Sequence, residues 1–244
     1  MARNNATSTR HTRTLWQVPG AGNGGSGLMR IIVMAAGEQT RWKAHGGVGS
    51  KHLLEVEGET LLARIVRQTA GQDAIISGDY PGLGVPNFTP TRDTSIVDGR
   101  LSVRELWSDH VRTVILLGDC FYTDEAMRKI LDHAGPEPCL FARFRPSRLT
   151  GKPWAEPFAN SLRPEDLVRH EAALRKAQAA KDAGRAPRAG LWEAYKLERG
   201  DRRSSFTYAT RNLGHAVEID DWTEDFDGPE DYDRWIERRA CLAA

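Results

Sequence analysis

Met29-Arg30-Ile31-Ile32-Val33-Met34-Ala35-Ala36, closed by Gly37, decides the fold. The run is short and almost continuously apolar, the pattern of a strand covered on both faces in a parallel sheet. A polar, glycine-rich loop follows as far as Ser50, then an extended piece over residues 52–56 that turns at Glu57-Gly58. Residues 59–70 carry Leu61, Leu62, Ile65 and Val66 at helical spacing. Residues 73–77 read as a second strand, and residues 80–90, rich in Gly and Pro, show no period. A helix fits residues 95–110, and Val111 to Leu117 is a third buried strand, ended by Gly118-Asp119. Residues 124–133 form a helix with Thr123 as N-cap, and residues 139–144 a fourth strand. Strand and helix alternate as in a doubly wound α/β architecture.

The alternation breaks after Arg145. Residues 145–164 are rich in Pro and Arg, and residues 164–183 read as a charged, Ala-rich helix with little apolar face. Such a helix is expected to pack weakly, as part of an insertion or lid. Residues 206–210 and 215–219 suit further strands, and residues 229–239 a helix whose acidic first turn favours its positive end. Upstream, residues 1–28 are rich in Arg, Asn, Thr, Ser and Gly and are expected to be a disordered tail. On this reading Met29 is the working start, and residues 29–244 form one domain in which 145–210 is the variable region.

Composition narrows the function. Basic and acidic residues number 34 and 33, a balance that offers no electrostatic case for nucleic-acid or membrane binding. No apolar run approaches the roughly 20 residues that span a bilayer, and no secretory signal follows the basic N-terminus. Cys120, Cys139 and Cys241 lack metal-ligand spacing and read as reduced thiols, so a cytoplasmic location is expected.

Ligands of a parallel sheet sit beyond the carboxyl ends of its strands, where strand order reverses. Ala35-Ala36-Gly37-Glu38-Gln39-Thr40-Arg41 falls at such an end, with Lys51 downstream. Its glycine lets backbone N–H groups approach phosphates, and the two cations suit a triphosphate. Asp119 tips the third strand, and Asp225-Phe226-Asp227-Gly228-Pro229-Glu230-Asp231 makes an acidic turn before the last helix. Carboxylates from two such segments, completed by phosphate and water, are a usual setting for Mg²⁺.

These stretches resemble the nucleotidyltransferases, the enzymes that make nucleotide-sugars and related activated alcohols. Their opening pattern is Leu-Ala-Ala-Gly-x-Gly-x-Arg, then Pro-Lys-x-Leu and a Gly-x-x-Leu-Leu helix start. Here stand residues 35–41, Ser50-Lys51-His52-Leu53 and Gly58-Glu59-Thr60-Leu61-Leu62. Ile115-Leu116-Leu117-Gly118-Asp119 is similar to the family's strand ending in Gly-Asp, and residues 225–232 to its late Ile-Asp-Thr-Pro-Glu-Asp-Leu turn. Gln39 replaces the second loop glycine and Ser50 the proline before the lysine. The resemblance implies a Rossmann-like three-layer sandwich with a mostly parallel sheet, and Mg²⁺-dependent transfer of a nucleotidyl group from a nucleoside triphosphate to a phosphorylated acceptor. A sugar-1-phosphate is the default acceptor, with an alcohol or pterin phosphate as alternatives. It also implies that Ala35, Ala36, Gly37 and Glu38 cradle the phosphates and that Arg41 and Lys51 stabilise the transition state. Asp119 and Asp227 would hold the metal, Thr94 and Ser95 would meet the nucleoside or acceptor, and residues 145–210 would form the acceptor side.

Rival patterns are weaker. Gly49-Ser50-Lys51 lacks the Gly-Lys-Ser/Thr order of a P-loop, and Gly37 lacks the further glycines of a dinucleotide site. Thr223 and Arg234 stand where a Ca²⁺ loop needs acids. A glycosyltransferase of the same fold lacks its Asp-x-Asp after Gly118, although Asp225-Phe226-Asp227 preserves that pattern. A non-catalytic nucleotide sensor is the third reading. Asp119 also suits a plain turn, and Asp227 a crowded acidic surface. Trp154, Trp192 and Tyr195 suit either an acceptor pocket or ordinary packing.

Overall fold

The computed structural model describes residues 27–90, 96–186, 189–200 and 216–243. In it the opening apolar run is strand β1 (Arg30–Met34), followed by a short helix α1 (Thr40–Ala44). A hairpin of β2 (Glu55–Val56) and β3 (Glu59–Thr60) turns at Glu57-Gly58 and leads into α2 (Leu61–Gln68), which Thr60 caps by accepting from the Ala63 N–H. Then come β4 (Asp73–Ser77), β5 (Asn87–Phe88), α3 (Ile96–Ser102), β6 (Thr113–Leu117) and β7 (Cys120–Phe121). Thr123 caps α4 (Asp124–Leu131), as its sequence suggests. The second half holds β8 (Cys139–Arg143), β9 (Glu156–Leu162), α5 (Leu167–Asp182) and α6 (Leu191–Glu198). It closes with β10 (Ala216–Glu218), β11 (Glu224–Asp225) and α7 (Pro229–Ala243).

Seven strands make the central sheet in the order β10-β8-β9-β6-β1-β4-β5. β1 runs parallel to both β4 and β6, and from it the chain builds outward first to one side and then to the other. The carboxyl ends of β1 and β6 therefore flank the crevice where strand order reverses. Alternating side chains of β1 feed two cores. Ile31 and Val33 pack with Leu62 and Ile65 of α2 and with Ala126, Met127 and Ile130 of α4. Ile32 packs on the other face with Leu167, Ala173, Leu174 and Ala177. Helices thus cover both faces, and the fold is a three-layer α/β sandwich with a mostly parallel sheet. Among the described residues no helix is long and apolar enough to cross a membrane.

Two expectations need correction. Part of the Pro-rich stretch is β9, buried along nearly its whole length and antiparallel between β6 and β8. Polar residues hide it in the sequence, yet each has a local remedy. Ser161 donates to Glu137 at 2.6 Å, Asn160 accepts from Arg100 at 3.2 Å, and Pro157 lies at the register shift opposite Ala142, where a missing N–H is tolerated. The Ala-rich helix α5 is no loose lid. Leu167, His170, Ala173, Leu174 and Ala177 form a narrow buried stripe whose small side chains let the helix sit close to the sheet. Trp192 and Tyr195 are buried with Leu140, Ala142 and Leu191, so they pack rather than line an open pocket. The strand expected at residues 206–210, Thr94, Ser95, His215 and the tail through residue 26 lie outside the described residues.

Candidate active site

Past β1 the chain crosses the carboxyl end of the sheet. The Ala35 N–H donates to the Ser77 carbonyl at 2.8 Å, so buried Ala35 anchors the loop beneath the cavity. Ala36 and Gly37 line it, and a Cβ on Gly37 would meet nothing within 4 Å, which leaves its backbone open to a ligand. Gln39 adopts the left-handed conformation, with φ 56° and ψ 39°. Its Oε1 accepts from the Lys51 N–H at 2.8 Å, and its Nε2 donates to Ser50 Oγ at 3.1 Å. Tyr80 Oη joins this knot, 2.9 Å from Ser50 Oγ and 2.7 Å from His52 Nδ1. Burial drives the His52 imidazole down to about 4, so the knot is neutral at physiological pH.

Gly118 ends β6 against β1. A Cβ there would stand 2.8 Å from the Met34 carbonyl, so only glycine allows this approach. The next residue, Asp119, meets Lys51 Nζ at 2.5 Å, and the same ammonium donates to the Phe226 carbonyl at 3.1 Å. Burial would raise the Asp119 carboxyl, but the Lys51 charge and the Lys51 hydrogen bond hold it at about 2. Burial likewise opposes the Lys51 charge, and Asp119, Asp225 and Asp227 more than compensate, so the ammonium is firmly held.

Asp225 arrives from the far end of the chain. β11 pairs antiparallel with β7, placing Asp225 opposite Cys120. One ligand atom each of Asp119, Cys120 and Asp225 lies within 4.8 Å of the others. Asp225 is buried, its Oδ1 has no hydrogen-bond partner, and burial pushes its carboxyl well above the usual range. A buried carboxylate oxygen left unpaired suits a cation. Burial also raises the Cys120 thiol well above its ordinary value, and its sulfur is a soft donor, so the two carboxyl groups are the hard oxygen donors here.

Asp227 takes other partners. Its Oδ2 pairs with Arg41 at 2.5 Å and with Lys152 at 3.4 Å, beside a neighbouring cavity of about 310 Å³. Lys152 also meets Asp225 at 3.4 Å and Asp231 at 3.2 Å, and ties the whole acidic turn together.

Of the residues singled out in the sequence, the structure brings Ala36, Gly37, Arg41, Lys51 and Asp119 to one cavity of about 240 Å³. Glu38 is exposed and does not line it. Asp225, Glu156 and Arg100 do line it and escaped the sequence reading as separate contributors. Asp225 and Asp227 alternate around one Phe, so only the strand pairing shows which of them turns inward. Glu156 belongs to the unrecognised β9, and burial lifts its carboxyl to about 7. Arg100 carries no local signal, because a lone arginine in a polar helix reads as surface.

No protein-family model matches the chain, and no curated protein matches it in sequence. Its fold does have counterparts. It is similar to the CTP:phosphocholine cytidylyltransferase of Streptococcus pneumoniae, with a TM-score of 0.55 and 14% identity over 87% of this chain and 99% of that one. It shares the nucleotidyltransferase fold. A Bacillus anthracis protein with a provisional glucose-1-phosphate thymidylyltransferase assignment superposes with a TM-score of 0.56 and 14% identity, over 88% of this chain and 95% of its own. In this nucleotidyltransferase fold the cavity described above opens at the reversal of strand order, between β1 and β6.

Proposed function

We propose that the chain is a Mg²⁺-dependent nucleotidyltransferase, which joins a nucleoside monophosphate from a triphosphate to a phosphorylated acceptor and releases pyrophosphate. The observation that carries this reading is the meeting, in one cavity, of an open Gly37 backbone, the Lys51 ammonium and two carboxylates, Asp119 and Asp225. An acceptor phosphate oxygen attacks the α-phosphorus, the bond to the bridging oxygen breaks, and pyrophosphate leaves with that oxygen. No proton has to be removed from such a nucleophile, so positioning and charge stabilisation suffice. Gly37 and its neighbours receive the phosphates. Lys51, already charged and held by Gln39 through its backbone, faces the charge that builds on the leaving group. Arg41, with its side chain 64% exposed, is free to swing from Asp227 to the β- and γ-phosphates.

Asp119 and Asp225 are the residues that would hold Mg²⁺, and Asp227, expected from the family pattern, orients Arg41 and Lys152 instead. When bound there, the ion neutralises phosphate charge and fixes the triphosphate's orientation. Residues 145–210 supply much of the acceptor side through β9 and α6.

Thermal unfolding with Mg²⁺ and each common nucleoside triphosphate, followed by a pyrophosphate-release screen of phosphorylated acceptors, tests the proposal. Saturation at about 100 times Kd adds roughly 2.7 kcal/mol, enough to see plainly. Asp119→Asn and Asp225→Asn are each expected to abolish Mg²⁺-dependent stabilisation and turnover while the far-ultraviolet spectrum is kept. A response to nucleotide-sugars with none to any triphosphate would instead favour glycosyl transfer.

A further inference from the structure

Arg100 is 1% exposed, on α3, and lines the same cavity as Gly37. Its Nε donates to Asn160 Oδ1 of β9 at 3.2 Å. Its Nη2 has no hydrogen-bond partner among the described residues, and neither has Asn160 Nδ2. Three other buried cations face carboxylates. Lys51 has Asp119 at 2.5 Å, Arg143 has Glu224 at 3.0 Å, and Lys152 has Asp231 at 3.2 Å. Arg100 has no ion pair among the described residues. A buried charge without a counter-charge is unfavourable unless something else completes it. Burial pulls the guanidinium down to about 9, which leaves it charged at neutral pH.

What completes it has to be an anion that enters the cavity. On the proposed reading the Gly37 loop, Arg41 and Lys51 receive the triphosphate. Arg100 comes from α3 into a cavity that Pro157 and Leu191 also line, near enough to Asp119 to feel its charge. An anion held there lies beside the proposed metal carboxylate, where a nucleophile for the α-phosphorus must stand. Arg100 lines the cavity with one spare donor, Nη2, while Asn160 holds its Nε, and the planar guanidinium fork suits the oxygens of a tetrahedral anion better than a point charge does. We propose that Arg100, steadied by Asn160, is the residue that recognises the phosphate of the acceptor. This assignment of the anion rests on the nucleotidyl-transfer reading.

The test is calorimetric titration of the full chain with inorganic phosphate, alongside thermal unfolding with Mg²⁺ and each common triphosphate. Phosphate affinity is expected to fall about tenfold or more in Arg100→Gln, with Arg100→Lys intermediate because it keeps charge and loses the fork, a change of about 1.4 kcal/mol or more for the first. Triphosphate stabilisation should stay within the wild-type range in both. Arg100→Lys retains a buried cation and serves if Arg100→Gln does not fold. The proposal is overturned if wild-type protein binds no phosphate at tens of millimolar. It is equally overturned if phosphate binding survives both Arg100 substitutions, or survives them and disappears in Lys51→Ala. Failure of every triphosphate to stabilise the wild type, with phosphate binding still dependent on Arg100, would remove the nucleotidyl-transfer reading and leave the anion site standing.

Discussion

Gln39 occupies the left-handed region at φ 56°, where a non-glycine residue is less stable by about 1 kcal/mol. The side chain offsets that strain with one hydrogen bond to the Lys51 backbone and one to Ser50, each worth about 1 kcal/mol. With Gln39 in place of a glycine, the loop trades an open backbone for a staple on Lys51. Gln39→Gly is therefore expected to be nearly neutral for stability, within about 1 kcal/mol, because relief of strain and loss of the staple act in opposite directions. Turnover should fall about tenfold or more, since Lys51 loses its fixed position. Urea unfolding and kcat measured on the same preparations check both halves, and unchanged kcat would show that the staple does not position Lys51. The motif itself was legible from residues 35–41 and Lys51, because a strand, a glycine and two cations in order are local features. The conformation at Gln39 was not, since its partners come from eleven and twelve residues away.

Among the elements, the parallel strands and amphipathic helices could be read directly. Strand β4 has the bounds its apolar pattern suggests, and Thr123 caps α4. β9 and α5 could not be read correctly, for opposite reasons. β9 carries Pro157, Asn160 and Ser161, whose polar needs are met only by residues distant in the chain. The buried stripe of α5 is largely alanine, so it shows little contrast with its charged face although Leu174 is fully enclosed. Leu174→Ala is expected to destabilise the protein by roughly 2–5 kcal/mol. A freely attached lid would lose less than about 0.5 kcal/mol. Equilibrium unfolding separates these cases, and a loss at the lower value would sink the packed-helix description.

At the scale of the molecule, the site is completed by a long-range closure. Residues 224–225 return to β7 about a hundred positions after it, and α7 locks them there. Trp235 is fully buried, its ring centroid 4.7 Å from that of Phe121 and 5.9 Å from that of Phe226, and its Nε1 donates to the Trp222 carbonyl at 3.0 Å. Trp235→Ala is expected to lose roughly 3–5 kcal/mol. Because the same cluster seats Asp225, it should also weaken Mg²⁺-triphosphate binding more than Leu174→Ala does at similar destabilisation. Parallel titrations of the two variants decide the matter, and equal binding losses would argue that Trp235 acts on stability alone. By itself, the sequence determined the sheet's parallel half, the helices on both its faces and the glycine-containing loop after β1, because period, caps and glycines act over a few residues. Only the tertiary structure decided that β9 inserts between β8 and β6, that Asp225 lies beside Asp119, and that Arg100 lines the cavity without a counter-charge among the described residues. Burial and pairing of polar groups depend on partners far along the chain, and no local pattern carries that information.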